Sequence, residues 1–407
     1  MERKLARFTV TDKGEKSLRG GHPWVYDGEV VAMEGTFSDG DLVDVYSGKG
    51  KYLGTGYANR HSKLRVRIIS RNANDAFDEA FYLRRLRHAV DYRRTVMGKD
   101  FDCCRLIFGE ADYFPGLTVD KFHDVLVAQV LSLGVERIKK ILLNGLVAIL
   151  REYGYPVRVV YERNDSPIRE KEGMTCSCGF FAGEGLQTED TGILEIVENG
   201  IRYRVDYISG QKTGFFLDQK YNRRAAAALA PDKRVLDCCT HTGAFALNCA
   251  AAGAEHVTAV DVSSEALSCA GQNAELNGLS DRVTFIQADV FDFLNEKIRQ
   301  KFKEYDYIVL DPPAFTKSSD TLKNAIKGYR EINTAAMRLL PRGGYLATCS
   351  CSHFMTNTYF RQMLHNAAED AGVVLRQIEE RRQAPDHPIL WNVPETEYLK
   401  FYLFQIV

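Results

Sequence analysis

The stretch TCSCSHF, Thr348–Phe354, places Cys349 and Cys351 on either side of one serine, directly after an apolar run that is typical of a buried strand. A thiolate is a strong nucleophile and also a metal ligand. No second cysteine pair and no histidine stands at the spacing of a zinc site, so we expect no metal here. We interpret Cys351 as a nucleophile at the strand end and Cys349, inside the strand, as a core residue.

Acidic residues end four predicted strands of the C-terminal half, namely Asp237, Asp261, Asp289 and Asp311. Ligands of open α/β sheets bind beyond the carboxyl ends of the strands, so we expect these side chains to converge on one site. Asp261 can accept both hydroxyls of a ribose, and Asp289 can receive the exocyclic amine of a purine. Each acid alone is equally compatible with a plain cap at a strand end, but four in register favour a ligand site.

The loop after the first of these strands, CCTHTGAF, contains one glycine, Gly243. A dinucleotide site requires G-x-G-x-x-G to bind its pyrophosphate, whereas S-adenosylmethionine has no phosphate. The loop and the carboxylates therefore favour S-adenosylmethionine over NAD. The predicted cosubstrate site comprises Phe216, Asp218, Asp237, Cys239, Thr242, Gly243, Asp261, Ser263, Asp289, Val290, Asp311 and Pro312.

The fourth strand ends in Asp311-Pro312-Pro313-Ala314-Phe315. A Pro-Pro-aromatic tripeptide is typical of methyl transfer to exocyclic amines, and here the aromatic residue comes one position late. Carbon 5 of a pyrimidine is another acceptor, but it is too weak a nucleophile to attack a methyl sulfonium unaided. Addition of the Cys351 thiolate to carbon 6 would activate the ring, and Asp311 would supply a proton near ring nitrogen 3.

A further dense stretch, GQKTGFFLDQKYNRR at Gly210–Arg224, contains Lys212 between two glycines. Lys212 could approach the substrate, and we include it among the candidate catalytic residues. Phe216 and Asp218 could line the pocket around the methionine end of the cosubstrate. The same stretch is equally compatible with a plain turn before a helix that is N-capped at Asp218.

Three kinds of segment must position these residues. Residues 1–73 alternate apolar and polar positions between glycine-rich turns, which predicts a small β-barrel. Residues 74–190 predict an α+β domain with a helix from Ala76 to Met97, whose side opposite the apolar positions is basic, and a second helix at Val135–Leu150. The basic residues of the first helix are Arg84, Arg85, Arg87, Arg93 and Arg94.

The third domain, residues 191–407, opens with a hairpin that turns at Glu198-Asn199-Gly200. Strand and helix patterns then alternate, which predicts a mostly parallel sheet with helices on both faces. The last stretch, EYLKFYLFQIV, predicts an antiparallel strand. The predicted fold class is therefore α/β for this domain, preceded by a β-barrel and an α+β domain.

The composition is that of an ordinary globular protein. The 407 residues are 45% hydrophobic and 26% charged, with a formal net charge of −1, so nucleic acid would have to bind at local basic patches. Residues 1–75 have a small surplus of Lys and Arg, densest in KLRVR at Lys63–Arg67. No apolar run reaches the length of a membrane helix and the N-terminus lacks a signal-peptide core, so we expect a cytoplasmic protein without a membrane partner.

With these residues in view, the chain resembles the RlmI-type 23S ribosomal RNA cytosine-5 methyltransferases over nearly its whole length. The resemblance rests on KSLRGGHPWVY, RLIFGEADYFPGLTVD, QKTGFFLDQKYNRR, DPPAF, CSCSHFM and RQAPDHPILWNVPETEYLK. It implies an N-terminal PUA domain that presents RNA, a middle α+β domain and a Rossmann-like class I methyltransferase domain. One departure is His241, which stands where an aromatic residue is usual.

The resemblance further implies which residues act. The Asp237–Gly243 loop, Asp261 and Asp289 would bind S-adenosylmethionine, and Cys351 would be the nucleophile with Asp311 nearby. The implied RNA partner is 23S rRNA, and a homodimer stays open as the assembly.

Two other functions stay open. A guanine-N7 or amine RNA methyltransferase would need no cysteine, so Cys351 discriminates against it. A non-catalytic RNA-binding ribosome assembly factor could retain an idle cosubstrate pocket, but the complete set of pocket carboxylates argues against it.

Overall fold

The computed structural model describes residues 5–316 and 318–407, so residues 1–4 of the predicted first domain lie outside it. The chain divides into two compact units that are built from separated stretches. The first unit contains the residues up to Leu194, Val205–Leu217 and Pro385–Thr396. The second contains Glu195–Arg204, Asp218–Ala384 and Glu397–Val407. The domain bounds 1–73, 74–190 and 191–407 stay a prediction.

The first unit opens with a six-stranded sheet and one helix. The elements are β1 (Ala6–Val10), α1 (Asp12–Arg19), β2 (Trp24–Tyr26), β3 (Val30–Glu34), β4 (Leu42–Ser47), β5 (Tyr52–Ala58) and β6 (Leu64–Ser70). The strand order is β2-β6-β5-β4-β1-β3. Alternate apolar residues such as Phe8, Val43 and Val66 form one buried core, as the period-2 pattern predicts.

The stretch KLRVR does not form a free basic patch. Arg67 is buried, and its Nη2 lies 2.8 Å from Oε1 of the equally buried Glu172. The Arg65 guanidinium binds Asp27. Two of the three cations of this stretch are therefore used within the fold.

The middle of the chain forms a five-stranded sheet with the order β11-β10-β9-β8-β7. Its elements are α2 (Glu79–Met97), β7 (Cys103–Phe108), β8 (Leu117–Phe122), β9 (Val125–Val130), α3 (Leu133–Glu152), β10 (Val159–Asn164), α4 (Ile168–Lys171) and β11 (Ser177–Phe180). Helix α2 begins three positions after the predicted Ala76, because the Asp78 carboxylate accepts the Phe81 amide and caps the helix there.

The assignment of Arg93 to the basic side of α2 is wrong. Arg93 is fully buried, and its guanidinium bonds both oxygens of Asp112 and the Asp386 carbonyl. A buried guanidinium needs such a complete set of acceptors, which the helical pattern alone cannot reveal. Among the others, Arg87 pairs with Glu152.

The last part of the chain contains the hairpin β12 (Ile193–Glu198) and β13 (Ile201–Asp206), as predicted, and a seven-stranded sheet. The remaining elements are α5 (Lys220–Ala227), β14 (Arg234–Cys238), α6 (Ala244–Ala251), β15 (His256–Asp261), α7 (Ser264–Leu276), β16 (Val283–Gln287), α8 (Val290–Arg299), β17 (Tyr307–Leu310), α9 (Leu322–Leu339), β18 (Tyr345–Ser350), α10 (Asn357–Ala371), β19 (Leu375–Arg381) and β20 (Lys400–Ile406).

The order of this sheet is β16-β15-β14-β17-β18-β20-β19. Strands β14 to β18 run parallel, and β20 is antiparallel to β18 and β19, which confirms both predictions. The chain leaves β14 toward β15 on one side and later returns to β17 on the other. The carboxyl ends of β14 and β17 therefore form the switch point where open sheets bind ligands.

Among the described residues, no helix is long and apolar enough to cross a membrane.

Candidate active site

Asp237 lies at the carboxyl end of β14 and is almost completely buried. Its Oδ2 accepts the Thr240 hydroxyl at 2.6 Å and the Ala246 amide at 2.9 Å. Within residues 5–316 and 318–407, its buried Oδ1 has no hydrogen-bond partner. Burial, together with the charges of Asp311 and Asp261, raises the pKa of Asp237 to about 7. This carboxyl is suited to receive a cation or an N–H donor.

The loop that follows β14 is held in an unusual backbone conformation. Cys239, His241 and Gly243 have φ angles of 62°, 51° and 83°, a region that residues with a Cβ rarely adopt. The loop is fixed by the Asp261 carboxylate, which accepts the His241 amide at 2.8 Å. Such strain is typical of functional loops, where the surrounding structure stabilises it.

The next two acids have structural roles as well as free acceptor capacity. Asp261 accepts the His241 amide on one oxygen and the Ser263 amide, at 3.0 Å, on the other. Each carboxylate oxygen has a second lone pair, so both can still accept ribose hydroxyls. Asp289 is exposed and caps α8 by accepting the Phe291 amide at 2.8 Å.

The other predicted cosubstrate residues of the second unit follow these strand ends. The Ser263 hydroxyl caps α7. The Thr242 carbonyl accepts a bond from the Asn273 amide group at 3.1 Å. Val290 and Pro312 are buried directly after Asp289 and Asp311.

Asp311 follows β17, and its Oδ1 accepts the Gln219 side-chain amide at 3.1 Å. Burial, followed by the charge of Asp218, raises the pKa of Asp311 to about 6. The Cys349 thiol lies beside this carboxyl, which raises the pKa of the thiol. Because Cys349 is fully buried and faces a carboxyl, the pKa of its thiol is far above the ordinary value, so it stays protonated.

Cys351 is the residue directly after β18 and is half-buried. Its thiol lies near the Lys400 ammonium and the Tyr329 phenol, and it interacts electrostatically with both. The two cysteines of TCSC thus differ. Cys349 is a core thiol beside a carboxyl, and Cys351 is a more accessible thiol beside a cation.

Lys212 and Phe216 belong to the first unit. Lys212 is exposed and has a φ of 51°, and its Nζ lies 4.7 Å from the centre of the Phe216 ring. The turn is anchored by the Thr213 hydroxyl, which donates to Asp120 at 2.5 Å. A Cβ at Gly210 would lie 2.2 Å from the Asp206 carbonyl, so this turn requires glycine there.

Asp218 belongs to the second unit, and its Oδ2 accepts the Tyr398 hydroxyl at 2.6 Å. The alternative interpretation, in which Asp218 caps a helix, is wrong. Helix α5 begins at Lys220 with Gln219 at the cap position, because a short 3₁₀ turn over Leu217–Gln219 precedes it.

Sequence reasoning missed Gln219, Tyr398 and Lys400. Lys400 in particular stands among the apolar residues of EYLKFYLFQIV, and only 2% of its surface is exposed. A lysine in an otherwise apolar buried strand is rare, and that is a signal that could have identified it.

The carboxyl groups at the ends of β14, β15 and β17 suit the cationic cosubstrate that the sequence predicts. S-adenosylmethionine carries a sulfonium and an ammonium group, and the available Oδ1 of Asp237 can accept an N–H donor.

Known proteins of one family are similar to this chain over most of its length. A model of the S-adenosylmethionine-dependent methyltransferase family matches residues 167–405, and a PUA-like domain model matches residues 8–71. The protein named ribosomal RNA large subunit methyltransferase I in Enterobacter sp. (strain 638) is 40% identical over 403 residues, which cover 98% of this chain and 99% of the relative. The protein of the same name in Escherichia coli O139:H28 is 39% identical over 403 residues, which cover 98% of this chain and 99% of that relative.

Two solved structures have the same fold. An S-adenosylmethionine-dependent methyltransferase from Streptococcus mutans has a TM-score of 0.80, and a methyltransferase in complex with S-adenosylhomocysteine has 0.81. Each is 23% identical and covers 98% of this chain and 99% of its own.

These matches confirm the predicted fold class, with its Rossmann-like methyltransferase domain and its PUA-like domain, and S-adenosylmethionine as the cosubstrate. The chain therefore belongs to the S-adenosylmethionine-dependent methyltransferases, in the family of the proteins named ribosomal RNA large subunit methyltransferase I.

Proposed function

We propose that this enzyme methylates carbon 5 of a cytosine in 23S ribosomal RNA, with Cys351 as the nucleophile. The observation that carries the proposal is the half-buried Cys351 thiol directly after β18, the parallel neighbour of the strand that leads to Asp311. The names of the curated relatives support ribosomal RNA of the large subunit as the substrate. A methyltransferase for guanine N7 or for an amine would have no use for a thiol at this position.

In the proposed reaction, the Cys351 thiolate forms a bond to carbon 6 of the cytosine, and the ring electrons shift toward carbon 5. Asp311 would donate a proton at ring nitrogen 3, and burial favours its protonated form by raising the pKa of the carboxyl to about 6. S-adenosylmethionine supplies the methyl group that carbon 5 takes up. A base then removes the carbon-5 proton, the electrons of that C–H bond expel the thiolate, and ring nitrogen 3 returns its proton to the Asp311 carboxylate.

The cosubstrate roles of Asp237, Asp261 and Asp289 are part of the same proposal. The catalytic role of Lys212 and the cosubstrate role of Phe216, which belong to the first unit, stay predictions. The support for Asp237 is its available oxygen, and for Asp261 its position at the end of the strand beside β14.

Ribosomal RNA from cells that lack this protein tests the acceptor. We expect mass mapping of 23S rRNA to find one 5-methylcytosine missing, because the proposed chemistry modifies carbon 5. The wild-type gene should restore the methyl group, and the Cys351→Ala gene, expressed to the same level, should not. A missing methyl group on a guanine or on an exocyclic amine would refute the proposal.

Cosubstrate binding should release protons in mildly acidic solution. Asp237 has a pKa of about 7, raised mainly by burial, so it is partly protonated there. A bound cation favours the ionised carboxylate, and binding must therefore expel its proton. Affinity should rise with pH between about pH 5 and pH 8 and then level off.

Titration calorimetry in two buffers of different ionisation enthalpy measures this release directly. We expect release at about pH 6, little at about pH 8.5, and a smaller release for Asp237→Asn. Equal heats in both buffers at the lower pH would show that no proton is released. That result would contradict the proximity of the bound cation to the Asp237 carboxyl.

The RNA-presenting role of the first domain is likewise proposed. Two of the three KLRVR cations already form ion pairs within the protein. The candidates for RNA contact are therefore other groups of the first unit. Trp391 is 96% exposed, and the neighbouring Asn392 lies so close to Gly21 that a Cβ there would meet it at 2.0 Å. An exposed indole can stack on an unpaired base, which supports a contact at this point.

We further propose that the enzyme acts in the cytoplasm, where thiols stay reduced. The ten cysteines are all free thiols in the structure, in agreement with this environment. The proposed assembly is a homodimer. Sedimentation of the full chain would measure its oligomeric state.

A further inference from the structure

Lys400 is a buried cation beside the proposed nucleophile. It is the first residue of β20 and pairs with Ser350 of the antiparallel β18. Its Nζ donates to the Ser352 carbonyl at 2.6 Å and to the Tyr398 carbonyl at 2.7 Å. Ser352 directly follows Cys351, so the Lys400 ammonium lies beside the turn that carries this residue.

The Lys400 ammonium has no full negative charge to balance it. Throughout the part of the chain that the structure describes, no carboxylate lies at ion-pairing distance from Nζ. The charged groups that influence it are Cys351, Glu397 and Arg382, and Glu397 is held by the Arg382 guanidinium. Burial lowers the pKa of Lys400 to about 8, as expected for a cation removed from water without a counter-ion.

An ammonium has three N–H donors, and the two carbonyls take two of them. Of the two acidic groups that act on Lys400, the Glu397 carboxylate is held by Arg382, and the other is the Cys351 thiol. Ionisation of this thiol would supply the missing negative charge.

We propose that Lys400 is a positioning residue that forms an ion pair with the Cys351 thiolate and so keeps the nucleophile ionised at neutral pH. The proposal rests on the assignment of Cys351 in the proposed function. The thiol proton passes to solvent and Lys400 stays protonated throughout. When the adduct collapses, the same ammonium stabilises the departing thiolate.

The arrangement also explains how two cysteines two positions apart can differ in reactivity. Cys349 faces the Asp311 carboxyl, and both burial and that negative charge raise its pKa. Cys351 faces a cation, which favours the thiolate. One thiol thus lies beside an acid and the other beside a cation.

The test is the pH dependence of Cys351 alkylation by iodoacetamide, followed by mass spectrometry of the peptide that carries Cys351. Only the thiolate reacts, so the rate reports ionisation without RNA or turnover. We expect a wild-type midpoint below the ordinary thiol value of about 8.5. Lys400→Met should move the midpoint upward by at least about one pH unit, a tenfold loss of thiolate at neutral pH, and Lys400→Arg should keep it low.

Lys121→Met is the matched control. Lys121 is also a buried lysine, whose Nζ donates to the Asp102 carboxylate at 2.5 Å in the first unit. We expect it to lower the melting temperature without moving the Cys351 midpoint. A wild-type midpoint at or above about 8.5 would overturn the proposal even if Lys400→Met fails to fold.

An unchanged midpoint in folded Lys400→Met would overturn the role of Lys400 alone. The nucleophile assignment fails separately, if Cys351→Ala still transfers methyl groups.

Discussion

Cys351→Ala should abolish methyl transfer and leave S-adenosylmethionine binding intact. The thiol is proposed to contact the base and not the cosubstrate, and without the addition to carbon 6 the ring cannot attack the methyl group. A loss of covalent catalysis of this kind reaches several orders of magnitude in rate. The measurements are transfer of labelled methyl groups to RNA and cosubstrate affinity by calorimetry, both on the same preparation.

Cys349→Ala is the matched control, because it removes the other thiol of the same strand. Cys349 is fully buried, so we expect a stability loss of roughly 1 kcal/mol from the small void, with turnover retained. Reversed outcomes would mean that Cys349 is the nucleophile. Since residues two positions apart lie on the same face of a strand, that is the alternative the experiment must separate.

RNA with 5-fluorocytosine at the target makes the adduct visible. Fluorine cannot leave carbon 5 as a proton would, so the thioether cannot be eliminated and the RNA stays attached. We expect this adduct with wild type and with Cys349→Ala, and none with Cys351→Ala. Activity in both cysteine variants without any adduct would exclude the cytosine-5 mechanism and favour methylation of nitrogen.

The sequence predicted the sheet of the second unit because its determinants are local. Each buried strand is a short apolar run, and each ends in an acid or a turn residue at the edge that the topology makes the ligand side. Asp237, Asp261 and Asp311 could therefore be selected without coordinates. The antiparallel last strand was also predictable, because the apolar pattern ends there without a following helix.

The burial of charged residues together with their partners could not be predicted in this way. Arg93 follows the helical pattern of a solvent-exposed basic face, yet Asp112 and the Asp386 carbonyl satisfy it in the interior. Arg67 alternates correctly for an exposed strand position, yet Glu172 from a distant part of the chain neutralises it. A charged residue is buried only when its partner is present, and that partner is not encoded in its own segment.

Lys400 illustrates the same limit at the active site. Its strand was predicted, but its proximity to Cys351 depends on the turn after β18, where the Ser352 carbonyl accepts a hydrogen bond from the Lys400 ammonium. The register of β20 against β18, in which Lys400 pairs with Ser350, brings the lysine to this end of the strand. Register follows from the packing of the whole sheet, which a single strand pattern does not contain.

Asp261→Ala should weaken S-adenosylmethionine binding by roughly 2–3 kcal/mol, which is about 30- to 150-fold, through the loss of charge-assisted hydrogen bonds to the ribose. Calorimetry measures the change. Asp281→Ala, an exposed acid of the same domain, is the control that should bind normally. Unchanged affinity in folded Asp261→Ala would refute the assignment of the ribose site.

Asp261 also fixes the loop through the His241 and Ser263 amides, so a weakened site could arise from a displaced loop rather than from a lost ribose contact. A double-mutant cycle with S-adenosylhomocysteine and its 2′-deoxy analogue separates the two causes. If Asp261 binds the ribose hydroxyls, Asp261→Ala should weaken the parent ligand more than the analogue, because the analogue has already lost one of the bonds. Equal losses for both ligands would assign Asp261 to loop geometry alone. The ribose would then have to be held by the loop amides that Asp261 positions.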